Sequence, residues 1–225
     1  MKLFTNRSDA GELLGQKLLF YKKQKPLVIG IPNGGIPVAM KVAQVLQCPL
    51  DILMVKKICA PQQPEVAIGA IAEGGETCFD DKMIDTMNIS GAYLEQTCIR
   101  SFRELRTQYR KISQYHPHPS WRNKVLILVD DGVATGATLT AALLWAKQKA
   151  PKKIIVATPV GSKNSIEILK QMADDVICLT IPDNFSSVSS WYEDFDQVSE
   201  VDILTILKEA DSFNPPSAET EKTRQ

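Results

Sequence analysis

The run Val129-Asp130-Asp131-Gly132-Val133-Ala134-Thr135-Gly136-Ala137-Thr138 puts two adjacent carboxylates directly before a bend of glycine, threonine and small apolar residues. Ionised carboxylates accept hydrogen bonds and cannot donate them. Asp130 and Asp131 therefore suit vicinal hydroxyls or a hydrated magnesium ion, and would repel a bare phosphate. The bend has the opposite preference. Gly132 and Gly136 let a ligand approach the main chain closely, and Thr135 and Thr138 add hydroxyl donors beside the unpaired amides of a helix N-terminus, with Val133, Ala134 and Ala137 supplying further main chain. A diol and a phosphate held a few residues apart describe a loop for a ribose 5-phosphate.

The flanking residues say where such a loop would sit. Lys124 to Val129 is β-branched and apolar on both faces, as in a parallel strand covered by helices, and Leu139 to Lys149 has helical spacing. The bend thus lies at a strand's carboxyl end. Other phosphate loops fit poorly: there is no Gly-x-x-x-x-Gly-Lys-Ser/Thr run, and Gly30-Ile31-Pro32-Asn33-Gly34-Gly35 lacks the Gly-x-Gly-x-x-Gly spacing of a dinucleotide turn.

Along the chain, Ser8 is expected to cap a helix to about Lys22, with Leu13, Leu14, Leu18 and Leu19 on one face. Leu27 to Ile31 reads as a strand, Gly35 to Leu46 as a helix with Val38, Val42, Ala43 and Leu46 inward, and Asp51 to Val55 as the next strand. The prolines of Ile58 to Pro64 predict a loop. Ala67 to Ala72 and Thr77 to Phe79, around Gly74-Gly75, predict a hairpin on the edge of the sheet. A short helix is expected over Asp80 to Met87 and a long amphipathic one from Ser90 to about Gln114, ended by His116-Pro117-His118-Pro119. Lys153 to Ala157 and Val176 to Leu179 supply two more strands around a helix near Ser165 to Met172, and Val198 to Ala210 a final helix. The fold class is α/β: a mainly parallel sheet of about five strands flanked by helices, with a small hood subdomain and an edge hairpin. Residues 1–210 read as one domain, and 211–225 as a disordered tail short of apolar residues.

In 225 residues, 44% hydrophobic, 26 basic and 26 acidic side chains cancel. Without a basic stripe, neither nucleic acid nor an anionic membrane is an expected partner. Cys48, Cys59, Cys78, Cys98 and Cys178 are odd in number and form no Cys-x-x-Cys pair, as expected of reduced thiols. The first nine residues turn polar before any signal-type stretch, and no apolar run approaches the roughly 18 residues of a spanning helix, so a cytoplasmic protein is expected. His116 and His118 lack companion metal ligands and receive no role.

Two hydrophobic residues, two acids and a Gly/Thr loop resemble the phosphoribosyl diphosphate site of the type I phosphoribosyltransferases. Phe4 to Gly11, Ile36 to Ala39, Pro64 to Ala70 and Trp191 to Phe195 further resemble a bacterial group of predicted phosphoribosyltransferases. The resemblance implies magnesium-dependent transfer of the 5-phosphoribosyl group from phosphoribosyl diphosphate to a nitrogenous base, with release of pyrophosphate. Asp130 and Asp131 would be the catalytic and metal-holding acids. It also makes Pro32-Asn33-Gly34-Gly35 the counterpart of the family's pyrophosphate loop, with a non-proline peptide that is often cis, and is compatible with a homodimer. Ligands in open α/β sheets collect where connectivity reverses, which pairs this loop with the one after Val129. Lys56 and Lys57, at the end of a strand, are candidates to neutralise pyrophosphate, and the loop from Ile58 to Gly69 to close over the donor. Phe185, in Ile181-Pro182-Asp183-Asn184-Phe185, is the candidate to stack on the acceptor base. One departure stands out. Relatives commonly carry Arg where this chain has Asn33, so that position offers no fixed cation, and a regulatory protein that senses phosphoribosyl diphosphate or a nucleotide without catalysis is the alternative.

Overall fold

The computed structural model describes residues 3–113 and 119–213. Helix α1 (Arg7–Lys17) precedes β1 (Leu27–Gly30), α2 (Gly35–Leu46) and β2 (Leu50–Ile52). After an insertion, the chain returns through β6 (Val125–Val129), α5 (Ala137–Gln148), β7 (Lys153–Val160), α6 (Lys163–Met172), β8 (Asp175–Thr180) and α7 (Glu200–Phe213). The five strands form one parallel sheet, as the sequence predicts, and their order is β2-β1-β6-β7-β8. Its first two strands run outward from β1, and the later ones run the other way from β6. Connectivity therefore reverses between β1 and β6, whose carboxyl ends open a crevice between them. Every residue of β1 and β6 is buried because both faces are covered. Val28, Ile127 and Val129 pack into a cluster with α2, while Leu126 and Leu128 pack under α5 and α6.

The insertion differs from the sequence expectation. Asp51 to Val55 is not one strand: β2 stops at Ile52, and β3 (Val55–Ala60) begins in a second sheet with β4 (Gln63–Ala72) and β5 (Thr77–Phe79). The buried run Ile52-Leu53-Met54-Val55 hides the break, because each sheet buries its share. Nor is Ile58 to Pro64 a loop. β3 and β4 pair antiparallel through a tight turn with Gln62 at φ 60°, and register shifts beside Ile58 and Cys59 absorb the irregularity. The predicted hairpin forms as β4 and β5, but it belongs to this separate three-stranded sheet and does not edge the parallel one. The small sheet packs between α5 and the long helix α4 (Gly91–Ser113), and α3 (Asp81–Thr86) follows β5.

The first helix is also shorter than expected. Asn6, not Ser8, caps α1 by accepting from the Asp9 amide at 3.0 Å, and the segment after Lys17 continues as a 3₁₀ helix over Leu19–Gln24. Leu14 and Leu18 are buried, whereas Leu13 and Leu19 are exposed, because the face turned to α2 carries the small residues Ala10, Gly11 and Gly15. All five cysteines are free thiols, and burial pushes Cys48 up to about 12 and Cys178 up to about 11. His116, His118, the end of the predicted α4 at Gln114 and most of the predicted tail lie outside the described residues. No helix among the described residues is long and apolar enough to cross a membrane.

Candidate active site

The bend after β6 is fixed from behind and open in front. Val133 forms a bridge with Gly161: its amide donates to Val160 O at 2.9 Å, and Ser162 N donates to Val133 O at 2.8 Å. The carbonyl of Ala134 accepts from Ser162 Oγ at 2.8 Å and Ser165 Oγ at 2.7 Å. The amide of Val133 and the carbonyls of Val133 and Ala134 are thus all taken up by β7, α6 and their connection. Among the described residues, no protein group accepts from the amides of Ala134, Thr135, Gly136 or Thr138. Gly136 has φ +78°, a conformation that L side chains rarely adopt, and this allows the chain to enter α5 directly. Unpaired amides, a helix N-terminus and two threonine hydroxyls have the chemistry that suits an anion.

That face lines a cavity of about 370 Å³, which also receives Pro32, Asn33 and Gly34 from the loop after β1. The Pro32–Asn33 peptide is cis, as the resemblance implies. Asn33 Nδ2 donates to Val198 O at 3.0 Å, which ties the loop to the entrance of α7. The reversal point of the sheet thus joins the two predicted loops in one crevice.

Asp130 and Asp131 lie between them. Asp130 Oδ1 accepts from the Asp131 amide at 2.9 Å. Burial pushes the carboxyl of Asp130 well above the usual carboxylate range, and the charge of Asp131 pushes the same way, while Lys57 and Arg7 pull it down. Burial also raises Asp131, opposed by a hydrogen bond from Arg7. The sheet's end therefore presents two crowded carboxylates that gain when a cation or hydroxyl donors join them. Magnesium usually takes one or two carboxylates and completes its shell with water and substrate phosphates. The adjacent carboxylates of Asp130 and Asp131, both lining the cavity, fit that pattern.

The predicted residues divide. Asp130, Asp131, Val133, Ala134, Thr135, Gly136, Thr138, Asn33, Gly34 and Lys57 all line the cavity. Gly35 and Ala137 stand behind it: the Gly35 amide donates to Ile31 O, and that of Ala137 points at Thr135 Oγ1. Lys56 points elsewhere, because neighbouring residues of a strand face opposite ways, and its ammonium pairs with Glu104 of α4. Lys57 reaches the crevice from β3, not from the end of a parallel strand. Phe185 is not brought to the cavity. It packs against Phe4, Val160 and Tyr192; Val188 and Phe195, which pack against the same cluster, line the cavity together with Ser189. The segment expected to close as a lid is the paired β3–β4 hairpin.

Arg7 is the residue that reading the motif misses. Its Nε donates to Asp131 Oδ2 at 2.8 Å, its Nη1 to Asp196 O at 2.7 Å, and its guanidinium lies 3.8 Å from the centre of the Phe195 ring. Tyr192 Oη donates to Asp131 O at 2.6 Å, and burial raises its phenol. Gly34 passes close to this pair: a Cβ on it would lie 1.8 Å from Asp131 Oδ2.

Known proteins share this arrangement of sheet and loops. The sequence profile of the phosphoribosyl transferase domain matches residues 6–196, a span that holds both loops, both acids and Arg7. The chain belongs to the phosphoribosyl transferase family. Two Mycobacterium tuberculosis proteins, from strains CDC 1551 / Oshkosh and ATCC 25618 / H37Rv and provisionally named phosphoribosyl transferases, are each 35% identical over 210 residues, or 93% of this chain. The chain spans about half, 47%, of their length. The crystal structure of TT1426 from Thermus thermophilus superposes with a TM-score of 0.77 and 37% identity, covering 93% of this chain and 99% of that one. The phosphoribosyl transferase fold thus extends beyond the motif to α1 and to the segment around Tyr192 and Phe195.

Proposed function

We propose that the protein transfers the 5-phosphoribosyl group of phosphoribosyl diphosphate to a nitrogenous base, in a magnesium-dependent reaction that releases pyrophosphate. The observation that carries this reading is the pairing in one cavity of open bend amides with two adjacent carboxylates at the sheet's reversal point. The 5-phosphate would take the amides of Ala134, Thr135, Gly136 and Thr138 and the threonine hydroxyls. The ribose hydroxyls would then lie over Asp130 and Asp131, and the carbon bearing pyrophosphate would face Gly34 and Asn33.

In the reaction the bond from the anomeric carbon to pyrophosphate oxygen breaks and its electron pair leaves with the oxygen. The nitrogen lone pair forms the new bond, and the nitrogen gives up its proton to water. Positive charge builds on the sugar in the transition state, so fixed carboxylates beneath it and dipoles on the leaving group lower the barrier without a covalent intermediate. Asp130 and Asp131 would hold a magnesium ion, which would supply charge neutralisation of the leaving group. Val188 and Ser189, beside Gly132, form the wall left for the acceptor.

The test offers purified protein phosphoribosyl diphosphate and Mg²⁺ with a panel of purine, pyrimidine and simpler nitrogenous bases and measures pyrophosphate. Release with at least one base, abolished when both Asp130 and Asp131 become Asn, supports transfer. Tight donor binding with no product from any base supports a sensor instead.

A further inference from the structure

Arg7 combines rigidity with an unused edge. Three contacts fix it: Nε on Asp131, Nη1 on the Asp196 carbonyl, and the face of the guanidinium on Phe195. Its side chain is only 11% exposed. Nη2 has no acceptor among the described residues, although the residue lines the cavity. A guanidinium carries five N–H donors in a planar fork, and a buried one with an open edge is suited to an anion that can accept two bonds. The place of that edge follows from the rest of the site. Arg7 lies next to Gly34 of the loop after β1, since a Cβ there would be 2.9 Å from Nε, whereas the bend that would hold the 5-phosphate follows the two acids after β6.

We infer that Arg7 binds the pyrophosphate end of the donor, an inference that rests on the transfer reading above. It supplies from α1 the fixed cation that residue 33 does not provide. Lys57 is the other cation of the cavity, and it stands on the small sheet. The Nε bond to Asp131 gives Arg7 a second effect: the acid that receives the sugar hydroxyls and the cation that receives the leaving group are held in one geometry.

Calorimetric titration of the full chain with ribose 5-phosphate and, separately, with pyrophosphate in excess Mg²⁺ tests this. Wild-type protein is expected to bind both. Arg7→Gln should weaken pyrophosphate about tenfold or more, the loss of a charge-assisted pair, while changing ribose 5-phosphate by less than about threefold. Arg7→Lys should restore part of the pyrophosphate affinity. If Arg7→Gln does not fold, Arg7→Lys carries the test, because a point charge cannot keep three contacts and an open edge, and its pyrophosphate affinity should fall more than that for ribose 5-phosphate. Equal loss of both ligands would make Arg7 a positioning residue for Asp131 and overturn the inference, as would unchanged pyrophosphate binding. Wild-type protein that binds ribose 5-phosphate but not pyrophosphate removes the role of Arg7 and keeps the sugar-phosphate site. Binding of neither removes the transferase reading as well.

Discussion

Replacing Gly34 by Ala adds a methyl group in place of one hydrogen, and the crevice has no room for it. The new Cβ would stand 1.8 Å from Asp131 Oδ2 and 2.6 Å from its Cγ. Unforced contacts between carbon and oxygen begin near ~3.3 Å, so the carboxylate or the loop must retreat by roughly 1.5 Å. A retreat of that size carries Asp131 Oδ2 from 2.8 Å to beyond hydrogen-bond reach of Arg7 Nε. The Asp131 side chain is 13% exposed, so water replaces that partner poorly. Losing a charge-assisted bond at such a site costs about 1.5–3 kcal/mol, or about 2–4 °C of melting temperature per kcal/mol in a domain of this size. Gly91→Ala is the control, because a Cβ there meets nothing within 4 Å. Urea unfolding and ribose 5-phosphate titration of both variants give the comparison. Gly34→Ala should lose stability and at least about tenfold in affinity, while Gly91→Ala stays within about 0.5 kcal/mol of wild type in both. Wild-type stability and affinity in Gly34→Ala would refute the close packing of loop, acid and arginine.

Asp130→Asn should raise stability at neutral pH while impairing transfer. The folded-state pKa of Asp130 is raised, so the native protein binds this proton more tightly than the unfolded chain, and stability falls as pH rises from the unfolded carboxylate value through the folded one. The gain should shrink on acidification through that window, as urea midpoints against pH would reveal; a gain that grows toward acid contradicts the sign. Binding of pyrophosphate with Mg²⁺ should tighten over the same rise in pH, since the ion takes the deprotonated acids, and calorimetry across pH checks this. Tyr192→Phe removes the donor to Asp131 O and should cost about 1 kcal/mol in denaturant unfolding. Thr138→Val should weaken ribose 5-phosphate about tenfold while leaving the melting temperature within a few degrees, because Thr138 lines the cavity and its hydroxyl bonds to no protein group among the described residues.

The half of the site that was legible in sequence is the half built from contiguous residues. Val125 to Thr138 writes strand, acids, bend and helix in one stretch, and Leu27 to Leu46 does the same for the facing loop. Their meeting followed from the rule that ligands gather where a parallel sheet reverses. Arg7 could not be found this way, because its bond to Asp131 joins residues 124 apart and nothing local to Asn6-Arg7-Ser8 distinguishes it from a helix start. Lys56 and Lys57 looked equivalent at a presumed strand end. Within β3 they point opposite ways, one to Glu104 and the other to the cavity. Phe185 and Phe195 lie in a stretch with little regular structure, where no periodicity tells which ring faces the crevice. The small sheet was obscured by apolar continuity from Ile52 to Val55 and by the prolines of the following turn.

The most direct measurement of the central claim is the amide nitrogen–proton NMR spectrum of labelled protein titrated with ribose 5-phosphate. The largest shifts should fall on the amides of Ala134, Thr135, Gly136 and Thr138, with Asp130 and Asp131 following as the sugar settles. Saturable shifts centred elsewhere, with those four amides unmoved, would contradict the assignment of this bend as the phosphate site.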